Sequence, residues 1–158
     1  MSVPHSSVTN PNILLDNAYA QVELIDLPRQ LPSNSAINPP TNSATNSFNE
    51  TPLNALKVES VFGSALVSLY GGQVLQWQPK DNKEVFWLSD ASQYQQNKAI
   101  RGGIPLCWPW FGAYQKEATK IVDLNHGFAR QSTWQLASVS ADEKHVTLVL
   151  RFSGENCH

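Results

Sequence analysis

Four side chains with chemistry to offer stand in one segment of the chain: Arg101, Asn125, His126 and Arg130. The segment runs from Ile100 to Trp134 and shows no helical or strand period. Arg101 precedes a glycine pair, Gly102-Gly103. Glycine lets a backbone turn sharply and approach a ligand closely. An arginine fixed beside such a turn can grip a phosphate or carboxylate with two parallel hydrogen bonds. The plainer reading is a solvated loop arginine. Arg130 lies four residues after His126, and two guanidinium groups on one site would suit a dianion such as phosphate. Spacing in a β protein does not establish that they converge. His126, between Asn125 and Gly127, suits a hydrogen bond to a hydroxyl or acid/base work near neutral pH. It is equally a histidine satisfied by backbone partners. Trp108, Trp110 and Phe111 either offer ring faces to the C–H surface of a sugar or pack in the core, as most aromatic residues do. Together these groups suit a polar, anionic, ring-shaped ligand.

The rest of the chain reads as scaffold for that segment. Val22-Glu23-Leu24 alternates and predicts a short strand within Ile13 to Asp26. Leu56-Lys57-Val58-Glu59, Ala65 to Tyr70 and Gln73 to Gln78 predict three more, with turns at Phe62-Gly63-Ser64 and Gly71-Gly72. Val85-Phe86-Trp87-Leu88 reads as a short apolar strand. Thr133 to Ser140 alternates, with Trp134, Leu136 and Ser138 on one side and Gln135, Ala137 and Val139 on the other. His145 to Ser153 puts Val146, Leu148, Leu150 and Phe152 on one face. Short strands joined by turn signals, without helical periodicity or internal repeat, predict an all-β antiparallel sandwich. The expected organisation is a flexible tail at 1–12 and one domain from 13 to 158. That domain carries a polar insertion at 31–51, rich in Ser, Asn, Thr and Pro, which cannot bury enough surface to offset its ordering entropy.

Bulk properties narrow the function classes. A chain of 158 residues fits one domain with a real core. With a net charge of −2 and no basic run, a nucleic-acid surface is not expected. No apolar run has membrane-spanning length, and Met1 to Asn10 lacks the features of a secretory signal. Cys107 and Cys157 show neither metal-ligand nor redox spacing, so two free thiols in a cytoplasmic protein are expected. The histidines His5, His126, His145 and His158 are scattered, and no metal site is expected.

The stretch Ala99-Ile100-Arg101-Gly102-Gly103-Ile104-Pro105-Leu106-Cys107-Trp108-Pro109-Trp110-Phe111-Gly112, followed by His126-Gly127-Phe128-Ala129-Arg130 and Thr133-Trp134, resembles the hexose-6-phosphate mutarotases. These form the glucose-6-phosphate 1-epimerase branch of the aldose 1-epimerase superfamily. Val61-Phe62-Gly63, Gly71-Gly72, Trp77-Gln78-Pro79 and Phe86-Trp87-Leu88-Ser89 extend the likeness, which covers about Leu56 to Phe152. The resemblance implies a galactose-mutarotase-like β-sandwich, no metal or organic cofactor, and a small sugar phosphate as partner. It implies exchange of the α and β anomers of a hexose 6-phosphate. Arg101 matches the arginine that contacts the substrate phosphate, and Arg130 a second substrate-binding arginine. His126 matches a histidine lining the site, with Asn125 beside it.

The catalytic histidine and the late catalytic glutamate of such enzymes come from the second half of the sandwich, and no residue up to His158 matches either. The expectation is therefore an N-terminal part of a mutarotase, incomplete at its C-terminus, that keeps the anchor and lacks the acid/base pair. The competing expectation is a non-catalytic sugar-phosphate or carbohydrate-binding module, and the blandest is a poorly folded fragment without function.

Overall fold

The computed structural model describes residues 10–28, 51–113 and 125–154. Most of the N-terminal tail, nearly all of the polar insertion, and Cys157 and His158 lie outside them. Asn10 to Asn12, the described end of the tail, form a turn in which the Asn10 side chain accepts from the Asn12 amide.

Seven strands form: β1 (Ile13–Asp16), β2 (Ala20–Asp26), β3 (Asn54–Ser60), β4 (Gly63–Ser68), β5 (Gln73–Pro79), β6 (Gln135–Ala141) and β7 (Val146–Arg151). The first five make one antiparallel sheet in chain order, and β6 and β7 make a hairpin. Among the described residues the one helical element is a 3₁₀ turn at Ala129–Gln131.

The period-2 alternation of strand side chains gives the sheet two apolar faces. On one face Val22, Leu56, Val58 and Val67 are buried, and Leu136, Val139, Val146, Leu148 and Leu150 of the hairpin cover them. The hairpin is thus the second layer of the expected antiparallel sandwich. On the other face Ala55, Leu66, Tyr70 and Leu75 form a cluster closed by Leu27, Leu53, Tyr94 and Ile100. Tyr94 and Ile100 come from the loop that leads into Arg101. The inner face predicted for β7 is the observed one.

Two local expectations are corrected. Val85 to Leu88 is not a strand. Its start is tied to the end of β5, where the Glu84 carboxylate accepts from the Trp77 amide and the Val85 amide donates to the Trp77 carbonyl. Glu84 also takes the Phe86 amide, and the only β pairing of Val85 to Leu88 among the described residues is an isolated bridge between Leu88 and Gly102. In β6 the simple alternation breaks at a bulge between Leu136 and Ser138, so Val139 joins Leu136 against the sheet. The five-stranded sheet has two bulges of its own, one between β1 and β2 at Leu14 and one between β4 and β5 that leaves Leu75 as the extra residue, fully buried.

Candidate functional site

The two arginine-bearing blocks are both fastened to one strip of backbone, from Leu69 through the β4–β5 turn to Val74. The Arg101 block meets it from one side. The Ile104 amide donates to the Val74 carbonyl at 2.8 Å, and the buried Gln73 side chain donates to the Gly102 carbonyl. The Arg130 block meets it from the other. The Gly71 amide donates to the Ser132 carbonyl at 2.8 Å, and the Trp134 amide to the Leu69 carbonyl at 2.7 Å. Gly71 is in the left-handed region, and a Cβ there would lie 2.8 Å from the Arg130 carbonyl oxygen. Only glycine allows this approach.

The Arg101 main chain is clamped by the preceding loop. Its amide donates to Ser92 Oγ at 2.9 Å, and its carbonyl accepts from the Ser89 amide at 3.0 Å. Its side chain is exposed. Arg130 is half-buried, and its Nε is buried without a hydrogen-bond partner. Among the described residues neither arginine has a carboxylate within ion-pair distance. Tyr70 is buried near Arg130. Its hydroxyl is buried without a hydrogen-bond partner. Burial holds the Tyr70 phenol above its ordinary pKa, opposed by the Asn97 backbone and by the Arg130 charge. Tyr94 is raised for the same reason, opposed by the Ser92 side chain.

His126 is tied to Gly112 twice. Its amide donates to the Gly112 carbonyl at 2.7 Å, and the Gly112 amide donates to His126 Nδ1 at 2.9 Å. With Nδ1 accepting, the imidazole is neutral and carries its proton on Nε2, as a donor. His126 sits at φ 66°, and Gly127 follows so close to the Trp108 carbonyl that any Cβ would collide with it. The Phe128 and Ala129 amides both donate to that carbonyl. Asn125, exposed, is placed beside His126 by this junction.

The rings divide in role. Phe128 packs edge-on against Trp108 at 5.4 Å and against Trp110 at 5.9 Å, and Phe152 joins it from the end of β7. Trp110 is half-buried in this cluster, whereas Trp108 keeps 55% of its surface exposed. Phe111 is 82% exposed and lies 4.6 Å from the His126 ring, centroid to centroid. Trp108 and Phe111 therefore have free ring faces, and Trp110 is largely support. A groove of about 310 Å³ between the sheet and the hairpin is lined by Phe62, Trp77, His145 and Leu148 and by none of the predicted site residues.

Sequence reasoning missed the supports Tyr70, Gln73, Ser92 and Phe128. Only Gln73, a polar residue at a buried strand position, left a visible signal. Among the described residues no three metal-ligating side chains cluster, and no helix is long and apolar enough to cross a membrane.

An antiparallel two-layer β fold with Arg-Gly-Gly and His-Gly-Phe-Ala-Arg blocks pinned to one turn defines a class, and comparison with known proteins gives it a family. The aldose 1-epimerase family model matches residues 56–157, well over half of the chain. The chain belongs to the aldose 1-epimerase family. It is 38% identical over 89 residues to "Putative glucose-6-phosphate 1-epimerase" of Escherichia coli, a match covering 56% of this chain and 29% of that protein. Among solved structures, HI1317 superposes with a TM-score of 0.56 at 30% identity, over 69% of this chain and 40% of the other. The fold is also that of "a putative mutarotase (YeaD) from Salmonella typhimurium", with a TM-score of 0.63, 24% identity and 93% and 40% of the two chains covered. The chain thus matches less than a third of the curated relative and two fifths of each solved structure.

Proposed function

We propose that these residues form the substrate-anchoring part of a mutarotase acting on a hexose 6-phosphate such as glucose 6-phosphate. The observation that carries this reading is the pair of guanidinium groups with no carboxylate partner among the described residues, one of them with a buried Nε that has no hydrogen-bond partner. A partly desolvated cation without an acidic neighbour is favourable only where an anion completes it. In this reading Arg101 and Arg130 bind the phosphate, the His126 Nε2–H donates to a sugar oxygen, Asn125 bonds a hydroxyl, and Trp108 and Phe111 cover a face of the ring.

Anomer exchange needs a base to take the proton of the C1 hydroxyl and an acid to protonate the ring oxygen. The C1–O5 bond then breaks to give the open-chain aldehyde. After rotation about C1–C2 the roles reverse and the ring closes. Each well-placed proton transfer contributes roughly 10²–10⁴-fold. His126 is the one histidine in the segment, and its Nδ1 is already engaged by the Gly112 amide. That supports a positioning role for His126, with the acid/base pair supplied from outside these residues. The same observation favours the second reading, a non-catalytic sugar-phosphate-binding module.

Magnetisation transfer between the anomers of glucose 6-phosphate, with free glucose as control, tests the proposal. The expected result is binding of the sugar phosphate with no more than slight acceleration. Strong acceleration specific to the phosphate would mean that the acid/base pair lies within this chain.

A further inference from the structure

Trp87 is the most exposed of the five tryptophans, with 72% of its surface open, and among the described residues its ring packs on no other ring. Single exposed apolar side chains are common and need no explanation. What singles Trp87 out is its register with Arg101. Leu88 bridges Gly102, and two main-chain bonds frame that pair. The Ser89 amide donates to the Arg101 carbonyl at 3.0 Å, and the Gly103 amide donates to the Trp87 carbonyl at 2.9 Å. Trp87 therefore stands opposite Gly103, and Ser89 opposite Arg101. A Cβ on Gly102 would collide with the Trp87 carbonyl oxygen, so this close approach requires glycine.

Side chains along extended chains alternate between faces. Leu88 and Ile100 both pack into the core cluster beneath. Their neighbours Trp87 and Arg101 consequently lie on the other face, and both are exposed. The two are diagonal cross-strand neighbours, a relation that separates backbones by about 7–8 Å and stays within reach of long side chains. Gly103, opposite the indole, has no side chain to cover it. Phe111 stands beside His126, beyond Ile104, so Trp87 is the ring at the Arg101 end of the site.

We propose that Trp87 is a further ligand-contacting residue, its indole lying against the sugar C–H groups next to the phosphate that Arg101 holds. An indole beside a guanidinium offers an apolar wall and a positive charge on one face. Free phosphate uses only the charge. A hexose 6-phosphate uses both, because its C6 methylene joins the anion to the edge of the sugar ring. Trp87 thereby favours a sugar phosphate over phosphate itself. An indole that only stacked on the Arg101 guanidinium would act on both ligands alike.

This role rests on the phosphate-binding reading, and the measurements separate the two. Trp87→Ala, Trp87→Phe and Arg101→Ala are each made in the full chain. Binding of glucose 6-phosphate and of inorganic phosphate, thermal unfolding, and NOEs from the Trp87 indole to the sugar C6 protons are recorded. Trp87→Ala should weaken glucose 6-phosphate binding roughly 3- to 10-fold, the scale of a small apolar patch returned to water, and leave inorganic phosphate binding unchanged. Trp87→Phe should restore most of the loss. Arg101→Ala should weaken both ligands. Trp87→Ala should melt close to the parent, because its ring is largely exposed. The parent should show the NOE to the C6 protons. Equal weakening of both ligands by Trp87→Ala would mean that Trp87 acts only on Arg101. Unchanged glucose 6-phosphate affinity would make it a bystander. Either result overturns the role of Trp87 and leaves the phosphate reading standing. If the parent binds neither ligand, the phosphate reading fails and the role of Trp87 with it.

Discussion

The five-stranded sheet and the Arg101–Trp134 segment are built on opposite principles. The sheet has continuous ladders, buried residues on both faces and two bulges. Among its described residues the segment has no strand before β6. Three of its four isolated bridges tie it to other parts of the chain, and the fourth, Trp108 to Gly127, closes it on itself. It buries little: Ile104, Leu106, Trp108 and Phe111 are all exposed, while Leu56, Leu66 and Leu75 of the sheet are fully buried. The sheet holds itself together through area removed from water. The segment is held by main-chain bonds to the sheet's β4–β5 turn, which fixes its backbone and leaves its side chains free for a ligand. Stability and recognition are therefore assigned to different residues, and substitutions should separate them.

The largest effect falls in the sheet. Leu56→Ala, which opens a cavity between the sheet and the hairpin, should cost about 2–5 kcal/mol in urea unfolding and lower sugar-phosphate affinity only through lost folded protein. Arg130→Ala should do the reverse, weakening glucose 6-phosphate binding roughly 10- to 100-fold, the range for hydrogen bonds to a charged group. Its melting temperature should stay near that of the parent. Phe111→Ala should lie within about 0.5 kcal/mol of the parent in stability, because its ring is largely exposed. It should weaken glucose and glucose 6-phosphate binding alike, a few-fold by titration.

The smallest effect is one of pH. Tyr70 and Tyr94 have folded pKa values raised above the ordinary 10.0. As pH rises the unfolded chain therefore ionises first. Their contribution is fully present below about pH 10 and is lost above it. Tyr70→Phe should flatten part of this alkaline loss, and Tyr94 should account for the remainder, as read from unfolding midpoints between pH 8 and 11.

The sheet was more legible in the sequence than the segment was. Val22-Glu23-Leu24 and Val146 to Phe152 carry their own alternation, so strand and face follow from local pattern. The bulges at Leu75 and Leu136–Ser138 do not, because a pairing partner sets them. Val85 to Leu88 looked like a strand because apolar content is local, while the bonds that hold its start, from Glu84 and Val85 to Trp77, reach seven or eight residues back along the chain. In the segment, Arg101, His126 and Arg130 were legible by type and glycine context. What anchors them was not: Ser92 meets Arg101 nine residues on, and the Tyr70–Gly71 pair meets the 130–133 turn across some sixty residues of sequence. Such contacts leave no periodic trace. The aromatic run Trp108-Pro109-Trp110-Phe111 concealed a division of labour between ring faces that only packing on Phe128 and Phe152 reveals.

The central claim is that two arginines, without a carboxylate partner among the described residues and carried by blocks fastened to one turn, bind the phosphate of a sugar phosphate. The most direct measurement is a ligand-observed NMR titration of this chain against glucose 6-phosphate and against glucose. It is repeated with Arg101→Ala and Arg130→Ala. The account predicts strong broadening of glucose 6-phosphate, little of glucose, and loss of the difference in either variant. Equal broadening of the two sugars, or a preference for the phosphate that survives both substitutions, would contradict it.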